Sequence, residues 1–373
     1  MRIALLTYST KPRGGVVHTL ALAEALAARG EEVTVWTLGR GGDDAFFRPV
    51  DPAVRVRVVP FVAEPDEGVG ARIQRSIRVL AEAFDPAGYD VVHAEDCITA
   101  NAVPGCIRTV HHLDTFTTPE LVACHDRAIV RPVALVTVSR AVAQEVEAGW
   151  GRVPTVIPNG VDAERFGAAA GATAQAQRDG WRARFGEYLL VVGGIEPRKG
   201  TMDALEGYAL ARRRHVDLRL VVAGGETLFD YAEYRRRFDR RREALRVPVD
   251  VLGPVDHGEL PSLVAAARAV PFLSTKEGFG LAAMEALAAG VPVVARDLPV
   301  IREVFGRAVE RVPDGAGVAR GLASAVDRAF EGTGPAPELG RTLAASYSWD
   351  AAAAAHQELY ARVLDGRGRS RFR

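Results

Sequence analysis

In MRIALLTYSTKPRGGVVHTLALAEALAARGEEVTVWTLGR, residues 1 to 40, a strand, a helix and a second strand can be read in succession. Arg2 to Tyr8 is an apolar run, and the turn after it contains Gly14 and Gly15. Val16, Leu20, Ala23 and Ala27 then recur at three- and four-residue steps, the spacing of one helix face. Gly30 closes the helix, and Val33 to Thr37 supplies the next strand.

The same unit recurs outward from there. Asp90 to His93, Ile107 to His111 and Val133 to Val138 read as buried strands, with helical stretches around residues 71 to 84, 118 to 131 and 139 to 149. This alternation predicts an α/β fold whose parallel sheets are covered by helices. After the turn Asn159-Gly160, the Ala-, Gly- and Gln-rich segment Gly167 to Gly180 has no sustained apolar period and reads as an inter-domain connection. The pattern restarts with strands Tyr188 to Val192, Leu218 to Ala223, Val249 to Leu252, Ala269 to Leu273 and Val291 to Ala295, and a helix over residues 201 to 214. The expected domains are therefore 1–165 and 166–348. A helix at about 349–365 follows, then a basic tail over 366–373.

Composition narrows the function. Lys+Arg and Asp+Glu both number 47, so the chain lacks the positive field that nucleic-acid binding requires, and no nucleic-acid partner is expected. Three cysteines without a Cys-x-x-Cys pair, no apolar stretch of membrane-spanning length and no signal-peptide core suggest a cytoplasmic address. Cys and His concentrate between His93 and His125, but their spacing follows no zinc pattern, so no metal is expected.

In open parallel sheets ligands sit beyond the carboxyl ends of the strands. Four loops at such places could carry chemistry. Gly14 and Gly15 let backbone amides approach an anion at a helix start, although a plain tight turn reads equally well. Gly193-Gly194-Ile195-Glu196-Pro197-Arg198-Lys199-Gly200 places two adjacent cations before a helix, which suits a diphosphate. Glu277-Gly278-Phe279-Gly280-Leu281 opens a helix on which Glu285 lies one turn in. The amides of Phe279, Gly280 and Leu281 then face the site, Glu285 can accept the two hydroxyls of a ribose, and Glu277 can reach a sugar. Finally, His111, His112 and Asp114 follow a first-half strand, where an imidazole could bond a substrate hydroxyl with Asp114 positioning it.

Taken together, EGFGLAAMEALAAGVPVVA with its E-x7-E spacing, VIPNGVD (Val156 to Asp162), GGIEPRKG, the early glycine pair and VHHLD resemble the retaining glycosyltransferases of family 4, in that family's order over nearly the whole chain. The resemblance implies a GT-B fold: two Rossmann-like domains facing across a cleft, the second holding a nucleoside diphosphate sugar and the first an acceptor. It implies a diphosphate-binding role for Lys199, ribose binding by Glu285, donor-sugar binding by Glu277, a place beside the transferred sugar for His111, and an amide at Gly15 meeting the diphosphate. His112 remains an alternative to His111, since neighbours on a strand face opposite ways. The commoner family pattern has Arg where this chain has Gly194, and Arg198 is the candidate substitute. The implied reaction is transfer of a sugar from a UDP- or GDP-sugar to an acceptor hydroxyl with retention, without a metal or other cofactor.

A sugar-nucleotide epimerase of the same fold and a catalytically silent sugar-nucleotide binder are the rival readings. A nicotinamide oxidoreductase lacks its fingerprint here. The acceptor class (small molecule, glycan or lipid-linked) and the choice of monomer or homodimer stay open. The basic clusters Arg212 to Arg214 and Arg235 to Arg242 allow peripheral contact with acidic lipid or simply solvated helix faces.

Overall fold

A computed structural model of the chain describes residues 1–62, 64, 67–114, 116, 118–225 and 231–370, with side chains to residue 366. The chain divides into two compact units, Met1–Gly160 with Ser348–Arg373, and Val161–Tyr347.

The first unit contains β1 (Arg2–Leu6), β2 (Glu32–Arg40), β3 (Arg55–Phe61), β4 (Val91–Ala94), β5 (Ile107–Val110), β6 (Ala134–Thr137) and β7 (Thr155–Val156). They form one parallel sheet in the order β3-β2-β1-β4-β5-β6-β7. From Ile3 to Leu6 every residue of β1 is buried, because the sheet is covered on both faces and alternation has no solvent side to mark. Ile3 and Leu5 pack with Val16, Leu20 and Ala23 of the helix Gly14–Ala28. Ala353 and Tyr360 of the helix Trp349–Ser370 complete the same core.

The second unit contains β8 (Tyr188–Val192), β9 (Arg219–Ala223), β10 (Val249–Gly253), β11 (Val270–Phe272), β12 (Val293–Arg296) and β13 (Glu310–Val312). They pair in parallel as β10-β9-β8 and β11-β12-β13. A parallel bridge from Leu189 to Ala269 links the two sets. Each unit thus has the 3-2-1-4-5-6 order of a Rossmann-like sheet, reversing direction after its first strand. The switch points lie at the carboxyl ends of β1 and β4 in the first unit, and of β8 and β11 in the second. Those ends carry the loops singled out above.

Several expectations need correcting. The segment Gly167 to Gly180 is not a connection. It lies within two helices of the second unit, Ala163–Ala170 and Gln175–Phe185, and the short turn between them. Its apolar anchors, the buried Phe166 and Phe185, flank the Ala-, Gly- and Gln-rich stretch on either side. The buried Arg178 guanidinium donates to the carbonyls of Ala169 and Gly171, holding the turn between the helices. The division at Gly160/Val161 precedes the expected 165/166 because Asp162 already caps the first of those helices, and Val161 N–H bonds Tyr347 C=O at 2.9 Å. The terminal helix runs to Ser370 rather than ending near 365, so the expected tail 366–373 is helical as far as it is described, and 371–373 lie outside the described residues. β3 was not anticipated. Its Arg55, Arg57 and Pro60 disguise it, and Pro60 is tolerated because β3 is an edge strand. Among the described residues no helix is long and apolar enough to cross a membrane.

Candidate functional site

In the second unit, β8 leads into a loop that must pass close to another backbone. A Cβ at Gly194 would lie 2.4 Å from the carbonyl oxygen of Gly225, and one at Gly224 would lie 2.3 Å from the carbonyl carbon of Gly193. The glycines therefore stack main chain on main chain, and a side chain at position 194 would require the Gly225 backbone to move.

Pro197–Lys199 forms a single 3-10 turn, and Gly200, at φ 63°, starts the helix Thr201–Ala211. Thr275 N–H donates to Arg198 C=O at 2.8 Å, pinning this turn to the loop after β11. The result is a compact charge cluster. Lys199 Nζ lies 2.8 Å from Glu277 Oε1, the Ser274 hydroxyl donates to the same oxygen at 2.9 Å, and Arg198 Nη1 approaches it at 3.4 Å. Arg198 also reaches the Lys276 carbonyl at 3.4 Å and Glu196 at 3.5 Å. Its side chain is 28% exposed and that of Lys199 19%, so both cations remain open to an anion.

Gly280, at φ 101°, turns the chain into the helix Leu281–Ala288, and a Cβ there would meet Phe305 Cζ at 2.9 Å. The first amide bonded back into this helix is that of Ala283, to Gly280 C=O at 3.0 Å, leaving the Leu281 and Ala282 amides at the open end. Phe279 is buried and meets Tyr347 edge-on at 5.3 Å, so it anchors the turn by its ring.

The Glu285 carboxyl makes no hydrogen bond or ion pair among the described residues. Loss of water around it pushes its pKa up to about 7, with Arg165 opposing and Asp162 adding to the rise. A carboxyl that ionises later in the folded chain than in the unfolded one contributes stability below its ordinary pKa of 4.5, and loses it as pH rises through about 7. The melting temperature of the wild type is therefore expected to fall relative to Glu285→Gln between those pH values. Parallel melting curves for the two proteins would contradict this.

In the first unit a histidine cluster surrounds Glu95, which follows β4. His111 is the residue after β5, and its Nε2 lies 3.2 Å from Glu95 Oε2. His18, one turn into the helix Gly14–Ala28, approaches the same oxygen at 3.5 Å and is held from behind by Asn159 Oδ1, 2.9 Å from its Nδ1. Gly15 lies against the His111 ring, where an added Cβ would sit 3.5 Å from Cδ2. Gly14 has open space around it. Burial pushes the pKa of His18 and of His111 down to about 3, and that of Glu95 up. At neutral pH His111 is therefore an uncharged hydrogen-bonding group.

The sequence-predicted residues thus form two groups, each within its own unit. Arg198, Lys199, Glu277, Gly280, Leu281 and Glu285 gather at the β8 and β11 ends, together with Gly194 and Phe279. Gly14, Gly15 and His111 gather at the β1, β4 and β5 ends. Of the two imidazoles left open, His112 pairs with Asp114 at 3.2 Å, and His111 Nε2 lies 3.2 Å from Glu95 Oε2. Glu95, His18 and Asn159 were missed as site residues. Glu95 stood at a strand end, and Asn159 sat inside the quoted VIPNGVD turn, so both were within reach of the argument. Within the basic clusters Arg214 pairs with Asp327, Arg235 with Asp239, Arg236 and Arg240 with Glu233, and Arg241 with Glu206.

Two Rossmann-like units, the second with two cations and open helix amides beside a switch point, are the setting for the chain's likenesses to known proteins. Residues 12–165 match the family model described as Glycosyltransferase Family 4, and residues 180–335 match that of Glycosyl transferases group 1. The chain is 30% identical to a D-inositol 3-phosphate glycosyltransferase of Xylanimonas cellulosilytica, covering 98% of both chains. It is 28% identical to a glycogen synthase of Mycobacterium tuberculosis, over 98% of this chain and 96% of that one. Its fold is shared with Anabaena HepE, solved with UDP-glucose, at a TM-score of 0.73 and 20% identity, covering 98% of this chain and all of that one. The chain belongs to this glycosyltransferase family and has the GT-B fold.

Proposed function

We propose that the chain is a retaining glycosyltransferase that moves a sugar from a UDP- or GDP-sugar to an acceptor hydroxyl, with Arg198, Lys199 and Glu285 as its principal donor-binding side chains. The observation that carries this reading is the pairing of two partly exposed cations on Glu277 with an unpartnered Glu285 on the helix that opens at Gly280. Arg198 and Lys199 neutralise the diphosphate as it leaves, assisted by the amides of Gly280 and Leu281, and Arg198 takes the place of the cation absent at Gly194. Glu285 accepts both ribose hydroxyls as a carboxylate. Glu277, oriented by Lys199 and Ser274, bonds hydroxyls of the donor sugar.

His111, neutral and fixed by Glu95, hydrogen-bonds the transferred sugar, with Gly15 leaving room for the diphosphate against its amide. Retention follows in the family's manner. The leaving phosphate takes the acceptor proton on the face it departs from, so no carboxylate serves as nucleophile and no divalent ion is required at the diphosphate. His112 and Asp114 fall on the acceptor side in this reading.

The test is thermal stabilisation by UDP, GDP and ADP and their common sugar conjugates, on the wild type and on Glu285→Ala. One base is expected to raise the melting temperature more than the others, with the gain lost in the variant. No shift with any nucleotide, or an equal shift in both proteins, would defeat the assignment.

A further inference from the structure

We infer that the acceptor carries a phosphomonoester, received by Arg13 with Arg40 behind it at the ends of β1 and β2. This rests on the transfer reaction proposed above and names the class of its acceptor.

Three observations carry the inference. The first is charge without a counter-charge. Among the neighbouring cations, Lys11 pairs with Asp43 at 2.8 Å and Arg75 with Glu67 at 2.7 Å. Arg13 and Arg40 have no carboxylate within ion-pair distance among the described residues. Both stand against one ring instead, their guanidinium carbons 5.4 and 5.1 Å from the centre of Tyr8. The two oxygens of Asp96 accept from the Tyr8 and Thr99 amides, each at 2.9 Å. Burial pushes the pKa of Arg40 down to about 10, with Tyr8 opposing and the like charge of Arg13 adding to the fall. The group is still charged at neutral pH, in surroundings that make an unpaired cation costly.

The second is the set of donors left over. Arg40 is fixed, since its Nε donates to the Tyr8 carbonyl at 3.0 Å and its Nη2 to the buried Ser76 hydroxyl at 2.7 Å, leaving Nη1. Arg13 is tied only at Nη1, which donates to the Tyr8 hydroxyl, and its Nε is buried without a hydrogen-bond partner. Nε and Nη2 form the side-on fork that grips two oxygens of an anion, and rotation of the loosely held side chain brings that fork to a ligand. With Arg40 Nη1 the site offers a third donor and a second positive charge. A phosphomonoester has three terminal oxygens and a charge of about −2, so it matches this set better than a carboxylate does.

The third is placement. The sheet order β3-β2-β1-β4-β5 puts Arg40, at the end of β2, and His111, after β5, on opposite sides of β1. The parallel pairing of β1 with β2 brings Arg40 to Tyr8 and Arg13, which are distant from it in sequence. The anion therefore lies beside the position assigned to the donor sugar and diphosphate rather than in it.

The test measures melting temperatures in saturating UDP or GDP, which fills the donor site, with added inorganic phosphate, glucose 6-phosphate, fructose 6-phosphate, glycerol 3-phosphate, glucose or glucuronate. Donor turnover is followed with the same organic compounds and with phosphatidylinositol vesicles. The phosphates are expected to raise the melting temperature further, and a sugar or polyol monophosphate to serve as acceptor. Arg13→Gln should raise its KM about 10–100-fold, as loss of a charge-assisted pair of hydrogen bonds does, with Arg13→Lys between the two. Arg40→Gln removes two internal bonds, so circular dichroism checks its fold, and Arg13→Gln decides the matter without it. Glucose or glucuronate acting as well as the monophosphates, or a response confined to the vesicles, would overturn the inference. So would an Arg13→Gln variant that loses its stabilisation by UDP or GDP, which would assign the arginine to the donor diphosphate. A wild type stabilised by a nucleotide but indifferent to every phosphate defeats this inference alone. Indifference to every nucleotide defeats the transferase reading and this inference with it.

Discussion

Lys199→Ala is expected to lower kcat/KM for donor cleavage by on the order of 10³-fold while leaving the fold intact. Lys199 Nζ lies 2.8 Å from Glu277 Oε1, so its loss removes a cation from the proposed diphosphate position and frees the carboxylate assigned to the donor sugar. Ser274 and Arg198 still contact that carboxylate, and the lysine side chain is 19% exposed, so little stability depends on it. The measurement is donor turnover together with the melting temperature. A near-wild-type rate would remove Lys199 from the chemistry. Arg198→Ala separates the second cation: turnover and donor affinity unchanged in that variant would show that nothing replaces the arginine missing at Gly194.

Gly200→Ala should have its effect on folding. Gly200 sits at φ 63°, where an L side chain costs roughly 1–2 kcal/mol, and an added Cβ would lie 2.1 Å from the carbonyl oxygen of Leu273. That oxygen cannot simply move, because it accepts from the buried Arg296 Nε at 3.0 Å, and the same guanidinium is paired with Asp314 and Asp203. Backbone overlap and loss of a buried charge-assisted bond place the cost at roughly 3–5 kcal/mol, in the range reserved for core disruption. For a unit of this size that corresponds to a fall in melting temperature of about 10 °C or more. Gly14→Ala is the control. Gly14 begins a helix with open space around its Cα, so its stability should stay within about 1 kcal/mol of wild type. If both substitutions are equally mild, the close approach at Leu273 is not what the geometry states.

The strands at the sheet centres were readable because burial on both faces makes them short apolar runs, as in β1 and β8. β3 was not, because an edge strand can carry Arg55, Arg57 and Pro60 without losing its pairing. The helices over the segment first read as a connection were hidden for a related reason. Phe166 and Phe185 anchor them from outside the Ala- and Gly-rich stretch, and the buried Arg178 looks like a surface residue until its carbonyl partners are seen.

The second-unit site was legible as residue types at strand ends, since cations, glycines and carboxylates at fixed spacing each imply a contact. The close packing at Gly194 was not legible, since it depends on a second glycine pair some thirty positions away in the sequence. The contact of His111 with Glu95 was not legible for the same reason, since Glu95 is brought beside His111 by the parallel pairing of β4 with β5.

In the proposed reaction Lys199 and its neighbours receive the diphosphate as the sugar leaves. The direct test follows UDP- and GDP-sugars by 31P NMR in the presence of a panel of polyol and glycan acceptors, with wild-type protein and with Lys199→Ala. The sugar-linked diphosphate signal of one donor is expected to convert to free nucleoside diphosphate with the wild type and to persist with the variant. Donors left intact by the wild type, or cleaved equally by both proteins, would contradict it.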